Sequence, residues 1–345
     1  MRVLIIRLRA IGDVIHGLPV ACAIKDRFPG AFVGWLAEDW ASDVLEGHAS
    51  IDQRIALPRR WERSPLALWN LRRDLRASRF DVVVDLQGVR GSVLAALLSG
   101  ARRRLGFVGM ISHQWRHLIS DADRLRSLSR VIARGLKFEL VQAGSTHIVD
   151  RYLEILRPLG VVEPGVRFDV PISESTTHEV DRLLQDVGVG SEPFAVFNPG
   201  GPPARVWPAE RFGSVATYLG ESRRLPTLVV QGPNDRERAV AQGIVATGGP
   251  HARLCPPLSV ARLAGLARRS SLFLSGDTGP LHLAAAVGAR CIGLFGHDQS
   301  ERFRPRGDGS TVLVGTAVPL DRTRRQGLGA DAMKAIDVDA VCRAC

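Results

Sequence analysis

The run Ser271-Leu272-Phe273-Leu274-Ser275-Gly276-Asp277-Thr278-Gly279-Pro280-Leu281-His282-Leu283-Ala284-Ala285-Ala286 can fold in few ways. An apolar stretch ending at Phe273 and Leu274 suits a buried strand, and Gly276 and Gly279 free the backbone for a close turn. Pro280 suits the first helical position, where its missing N–H costs nothing, and leucine and alanine then propagate the helix. The unpaired N–H groups at such a helix start carry partial positive charge and form a site for an anion, a phosphate above all. Thr278 adds a hydroxyl there and His282 a ring nitrogen. The plainer alternative is an ordinary βα turn with Asp277 as helix cap.

Strand, turn and helix recur along the chain. Strands are expected at 3–8, 32–36, 82–86, 194–198, 227–231, 272–275 and 291–295. Helices are expected at 14–28, 66–76, 92–99, 147–159, 209–219, 236–246, 260–267 and 280–287. This alternation predicts the α/β class with parallel sheets. A chain of 345 residues is long enough for two such domains, each doubly wound and Rossmann-like. Pro164, Gly165 and Pro171 interrupt the pattern and place a linker within 160–175, dividing the chain into domains 1–165 and 166–329. Residues 330–345 read as a final modest helix, free to pack back on the N-terminal domain. In open parallel sheets ligands bind beyond the carboxyl ends of the strands, so two facing domains would share a cleft.

Composition narrows the function classes. No apolar run reaches the ~18 residues that span a bilayer. Met1-Arg2-Val3-Leu4-Ile5-Ile6-Arg7 reads as a strand and not a signal peptide, so a cytoplasmic protein is expected. Five scattered cysteines suggest no disulfide framework, and the terminal Cys342-Arg343-Ala344-Cys345 reads as a frayed tail. The net charge is +11, and all but three of the 46 basic residues are arginine. The plain reading is genome composition; the functional one is an anionic partner bearing phosphates, carboxylates or lipid headgroups. Zinc-finger spacing, a basic tail and aromatic-interleaved basic strands are all missing, so nucleic acid is not expected. No metal-ligand spacing lies near the phosphate loops, and neither a metal nor a cofactor is expected.

Four further loops can carry chemistry. In Arg9-Ala10-Ile11-Gly12-Asp13, Asp13 is either a helix cap or a general base. The glycine spacing matches neither GxGxxG nor GxxxxGK[ST]. In the loop 198–208, Gly200 and Gly201 let backbone amides approach a ligand, and Arg205 can clamp a diphosphate or remain a solvated charge. After the strand at 227–231, Asp235 or Glu237 can take ribose hydroxyls, or Asn234 or Asp235 simply caps a helix. Arg59-Arg60-Trp61-Glu62-Arg63 suits an anionic acceptor, or is a solvated helix start with its ring on the core.

With these loops in order, the chain resembles glycosyltransferase family 9, the heptosyltransferases, and within it the type I enzymes. The residues that carry the likeness are Met1 to Ile5 leading to Gly12-Asp13-Val14; Asp85-Leu86-Gln87-Gly88; His147; Arg205-Val206-Trp207-Pro208; and Gly276 to His282. Arg59-Arg60-Trp61 is similar to the type I acceptor motif. The resemblance implies the GT-B fold, with an N-terminal acceptor domain and a C-terminal nucleotide-sugar domain facing across a cleft. It implies inverting transfer of a heptose from ADP-heptose to a Kdo sugar of an anionic lipid A precursor, at the cytoplasmic face of the inner membrane. Asp13 would be the base. Gly200, Gly201, Arg205, Thr278, Gly279 and Pro280 would hold the diphosphate with His282 alongside, and Asp277 would belong to the same site. Leu258 would lie against adenine, Asp235 or Glu237 would serve the ribose, and Arg59, Arg60 and Arg63 would meet the acceptor. Arg205 stands where the family usually has lysine, Gly200-Gly201 where type I enzymes carry hydroxyl residues, and His297-Asp298 where Pro-Thr is common. The alternatives are the type II activity, another nucleotide-sugar transferase or epimerase of this architecture, and a non-catalytic anion-binding protein.

Overall fold

The computed structural model describes residues 1–108, 134–297, 299–318 and 328–345. The chain forms two compact units, Met1–Asp169 and Val170–Cys345. Each contains a six-stranded sheet whose described strand pairs are all parallel.

The first unit has strands β1 (Arg2–Ile6), β2 (Phe32–Glu38), β3 (Gln53–Leu57), β4 (Val82–Asp85), β5 (Arg103–Phe107) and β6 (Glu139–Val141) in the order β3-β2-β1-β4-β5-β6. The second has β7 (Ala195–Asn198), β8 (Thr227–Val229), β9 (Ala252–Leu254), β10 (Leu272–Gly276), β11 (Cys291–His297) and β12 (Thr311–Val318) in the order β12-β11-β10-β7-β8-β9. Both orders place the first and fourth strands side by side at the centre. The chain winds outward in opposite directions from that pair, which opens a crevice at its carboxyl end. β1 and β4 form the switch point of the first sheet, β7 and β10 that of the second.

The central strands read as unbroken apolar runs because both faces are covered. In the second unit Ala195, Phe197, Leu272, Leu274, Ile292 and Leu294 pack into one cluster, while Val196, Phe273, Cys291 and Phe295 pack into another on the opposite face. Helices Ala209–Arg223 and Asp235–Gly248 cover the former, and Glu174–Asp186 and Val260–Arg269 the latter.

Several elements differ from the sequence expectation. β3, β5, β6 and β9 are edge or near-edge strands, short or carrying charged residues; β12, an eight-residue edge strand with the apolar run Val312-Leu313-Val314, was not anticipated either. The helix Glu174–Asp186 begins at the end of the expected linker, capped by Ser173 Oγ accepting from Thr176 N. The tail also differs. Expected as one modest helix with a frayed end, it forms two helices, Leu328–Lys334 and Val338–Ala344, built into the core of the second unit. Met333, Ile336 and Val341 are core residues beside Trp207, whose Nε1 donates to the Ile336 carbonyl at 3.1 Å. Arg290 donates to the carbonyls of Ala344 and Cys345. Burial pushes the Cys345 thiol up to about 12, so that end is no redox-ready thiolate.

Candidate active site

At the second switch point, β7 ends at Asn198 and β10 at Gly276. Buried Asn198 donates through Nδ2 to Ser275 Oγ at 2.8 Å and Thr278 Oγ1 at 3.1 Å, so one amide ties the two strand ends and orients the Thr278 hydroxyl. Thr278 occupies the cap position of the helix Gly279–Ala286 with extended backbone, and its own side chain makes no capping bond. Asp277 is therefore not the cap. The first turn, with Pro280 inside it, opens towards Gly201: a Cβ built on Gly201 would lie 2.8 Å from Thr278 Cγ2. Gly201 has φ +134, a backbone region closed to side-chain-bearing residues.

Asp277 is the organising residue. Its carboxylate is buried and receives Arg205 Nη1 at 2.7 Å on Oδ2, His297 Nε2 at 2.9 Å on the same oxygen, and His282 Nε2 at 3.2 Å on Oδ1. Arg205 Nη1 also reaches the Asp277 carbonyl. Burial opposes the charge, but the bonds from both histidines and the nearby positive charge outweigh it and hold the carboxyl well below the usual carboxylate range. His297 Nδ1 accepts from Gln299 N, which leaves Nε2 as the donor to Asp277. The β11–β12 register shifts between Phe295 and His297, so the ring leaves the strand end at an irregularity. Asp298, its neighbour in sequence, lies outside the described residues. Gly276 lets this assembly close, since a Cβ there would lie 2.7 Å from the Arg205 carbonyl oxygen.

Of the ribose candidates, Glu237 folds back and accepts from Gly201 N at 3.1 Å, shaping the glycine loop. Asp235 points into solvent, paired with Arg238. Asn234 takes the cap role, its Oδ1 accepting from Glu237 N. Gly200 sits half-buried beside Asn198, and Leu258 packs half-buried against the core between β9 and the helix Val260–Arg269.

At the first switch point, Ala10, with φ 62, takes the cap position of the helix Ile11–Arg27, and Asp13 lies in the first turn. Its carboxylate is ion-paired with Arg7. Arg7 is buried, which opposes its charge, but Tyr152, Asp13 and Asp85 outweigh burial and hold it above the usual arginine range. Asp85, fully buried at the end of β4, accepts from Gln87 N, Gly88 N and Ser92 Oγ, each at 2.9 Å. Burial pushes its carboxyl up to about 6 against those bonds. Gln87 Oε1 accepts from Leu8 N, tying the ends of β4 and β1 together. His147, the further family marker, caps the helix Ile148–Glu154 through Nδ1 and meets His16 edge-on.

A recess of about 310 Å³ opens here, lined by Leu8, Arg9, Glu62, Gln87, Val89, Arg90 and Gly91. Arg9 donates to buried Glu38 at 2.6 Å and lies 3.6 Å from Glu62, linking the end of β1 to the arginine turn. In that turn Arg59, Arg60 and Arg63 are exposed while Trp61 is buried in the core. Sequence reasoning gave no role to Arg7, Glu38 or Asn198, and noted His297 only as a departure from the family pattern. A charged residue prolonging an apolar strand was the available signal for Arg7; nothing local marked the others. Among the described residues no group of three or more His, Cys, Asp or Glu is placed to hold a metal ion, and no helix is long and apolar enough to cross a membrane.

Comparison with known proteins gives a consistent picture. Residues 68–327 match the family model "Glycosyltransferase family 9 (heptosyltransferase)". The chain is 27% identical over 305 residues to lipopolysaccharide heptosyltransferase 1 of Escherichia coli K12, covering 86% of this chain and 88% of that one. A family 9 glycosyltransferase from Veillonella parvula superposes with TM-score 0.82 at 21% identity, covering 99% and 95% of the two chains. E. coli heptosyltransferase WaaC with ADP superposes with TM-score 0.75 at 21% identity, covering 99% and 98%. A two-domain α/β chain with loops built at both switch points, matched by the family model over most of its length, belongs to glycosyltransferase family 9, the heptosyltransferases.

Proposed function

We propose that this enzyme transfers a heptose from ADP-heptose to a Kdo sugar of the lipopolysaccharide inner core, with inversion. The observation that carries the donor half is the second switch point. There Arg205, held by Asp277, stands with the Thr278 hydroxyl and the open first turn of the helix Gly279–Ala286. These are donors suited to a diphosphate. Leu258 receives the adenine. The Gly200-Gly201 loop, set by Glu237, covers the phosphates and leaves the ribose to Glu237 or Asp235.

Asp13 is the base. It takes the proton of the acceptor hydroxyl; that oxygen bonds to the anomeric carbon from the face opposite the diphosphate. The bond from the anomeric carbon to phosphate oxygen breaks, and ADP departs with both electrons. Negative charge grows on the diphosphate as that bond breaks, so Arg205 and the helix N–H groups stabilise the transition state more than the ground state. Arg59, Arg60 and Arg63 hold the anionic acceptor. Because the acceptor is a lipid, the enzyme works as a peripheral protein on the cytoplasmic face of the inner membrane.

The test is a pair of measurements on Asp13→Ala. Transfer from ADP-heptose to a Kdo acceptor should fall to background, while ADP still raises the melting temperature as in wild type. Transfer at near the wild-type rate would remove Asp13 from the chemistry. Greater stabilisation by UDP or GDP than by ADP would overturn the donor.

A further inference from the structure

The helix Pro65–Ala77 commits one stripe to the core of the first unit: Leu71 and Leu75 are buried, and Ala67 and Leu68 pack against the same cluster. That stripe meets what folding asks of a short surface helix. Leu66 and Trp69 lie outside it, one turn apart, and are 67% and 58% exposed. Arg72 and Arg73 follow on the next turn, both exposed, with the Arg73 guanidinium 5.2 Å from the centre of the Trp69 ring. Arg59, Arg60 and Arg63 are exposed just upstream, with Arg59 lying 5.6 Å from the ring of Trp40, itself 39% exposed. The acidic residues of this stretch do not offset the charge. Asp74 pairs with Arg73 and Glu62 turns towards Arg9, but these two are outnumbered by Arg59, Arg60, Arg63, Arg72 and Arg73.

We propose that this face docks on an anionic lipid bilayer. Leu66 and Trp69 enter the interfacial layer, and Arg72 and Arg73 lie against the headgroup phosphates. An indole ring suits the boundary between headgroups and acyl chains, being apolar in body with one N–H donor. Guanidinium groups pair with phosphate oxygens in bidentate fashion. The occupant follows from charge complementarity: exposed arginines crowd the two apolar side chains, a pattern that suits an anionic headgroup layer. The patch is small, so attachment is reversible and weakened by salt. This surface deepens the reading of a lipid acceptor and rests on it. It would place the arginine turn, and the recess beside it, at headgroup level.

The experiment is co-sedimentation of the full chain with vesicles of phosphatidylcholine alone and of phosphatidylcholine with phosphatidylglycerol at three to one. Wild type should bind the anionic vesicles and be released by high salt. Leu66→Ser/Trp69→Ser, a pair of surface changes that the fold tolerates, should lower partitioning by about ten-fold or more. ADP stabilisation and transfer to a water-soluble Kdo acceptor should stay unchanged in that variant. Equal vesicle binding by the variant, or no binding by wild type, overturns the proposal. So does a wild-type dimer that the double variant makes monomeric without loss of vesicle binding. Vesicle binding lost in the variant, with transfer absent from both proteins, sustains the docking surface and overturns the function reading instead.

Discussion

Arg205 donates to Asp277 Oδ2 at 2.7 Å, so the cation proposed to meet the diphosphate is already held by a carboxylate from the neighbouring loop. A free arginine on a glycine-rich loop would lose side-chain entropy on meeting its ligand. Here part of that loss is taken on folding. The ligand then meets a preset guanidinium with its remaining donors free. Two histidines on the same carboxylate fix it in turn.

Replacing Asp277 by Asn should cost about 3 kcal/mol of stability at neutral pH, because half-buried Arg205 loses its counter-charge and buried His282 and His297 lose their ionised acceptor. The Asp277 carboxyl is held below its unfolded value, so this contribution is full above about pH 4 and is lost as pH falls below it. Urea unfolding of both proteins at neutral and acid pH checks this; a stability gap that does not narrow in acid would contradict the assignment.

At Arg205 charge and geometry separate. Arg205→Ala should weaken ADP binding by about ten- to a hundred-fold, and Arg205→Lys should recover only part of it, because an ammonium cannot hold Asp277 and reach phosphate in the same planar fork. Calorimetric titration of ADP into the three proteins decides; equal affinity in all three would take Arg205 out of the donor site.

Arg7 orients Asp13, so Arg7→Met should lower kcat by about ten-fold or more with little change in donor KM or ADP affinity. A loss confined to KM would give Arg7 a binding role instead.

Asp85 has the opposite sign to Asp277. Its folded carboxyl titrates at about 6, above its unfolded value, so folded protein binds more protons between the two and stability falls as pH rises through that window. Asp85→Asn keeps an oxygen for the amides of Gln87 and Gly88 and removes the buried charge. The variant should gain on wild type by about 1–3 kcal/mol between about pH 4 and pH 7. Melting temperatures across that range test it; a constant offset would exclude ionisation of Asp85 as the cause.

Deleting the terminal helix Val338–Ala344 should destabilise the second unit by about 2–5 kcal/mol, because Val341 fills its core and Arg290 would lose two carbonyl partners. Thermal unfolding of the truncated protein measures it; an unchanged melting temperature would mean the tail is dispensable.

The amino-acid sequence by itself determined the class of fold, because apolar strands such as Leu272–Gly276 and proline-started helices such as Gly279–Ala286 announce themselves within a few residues. It also named the loops at the strand ends, since Gly200-Gly201 and Gly276-Asp277-Thr278-Gly279 admit little but close turns. It missed edge strands such as Glu139–Val141, whose formation depends on a neighbour remote in sequence and not on their own residues. It could not choose among roles for Asp277, Asn234 and Glu237, because a cap, a loop brace and a ligand contact call for the same residue types. Tertiary structure made Asn234 the cap and showed Glu237 and Asp277 bracing their loops. It took His297 and Arg205, 92 residues apart, to bring both onto one buried carboxylate, and Arg7 to turn Asp13 from a capping position into an ion pair. Local pattern records what a segment can do alone; which polar partner satisfies a buried charge is settled when distant strands meet.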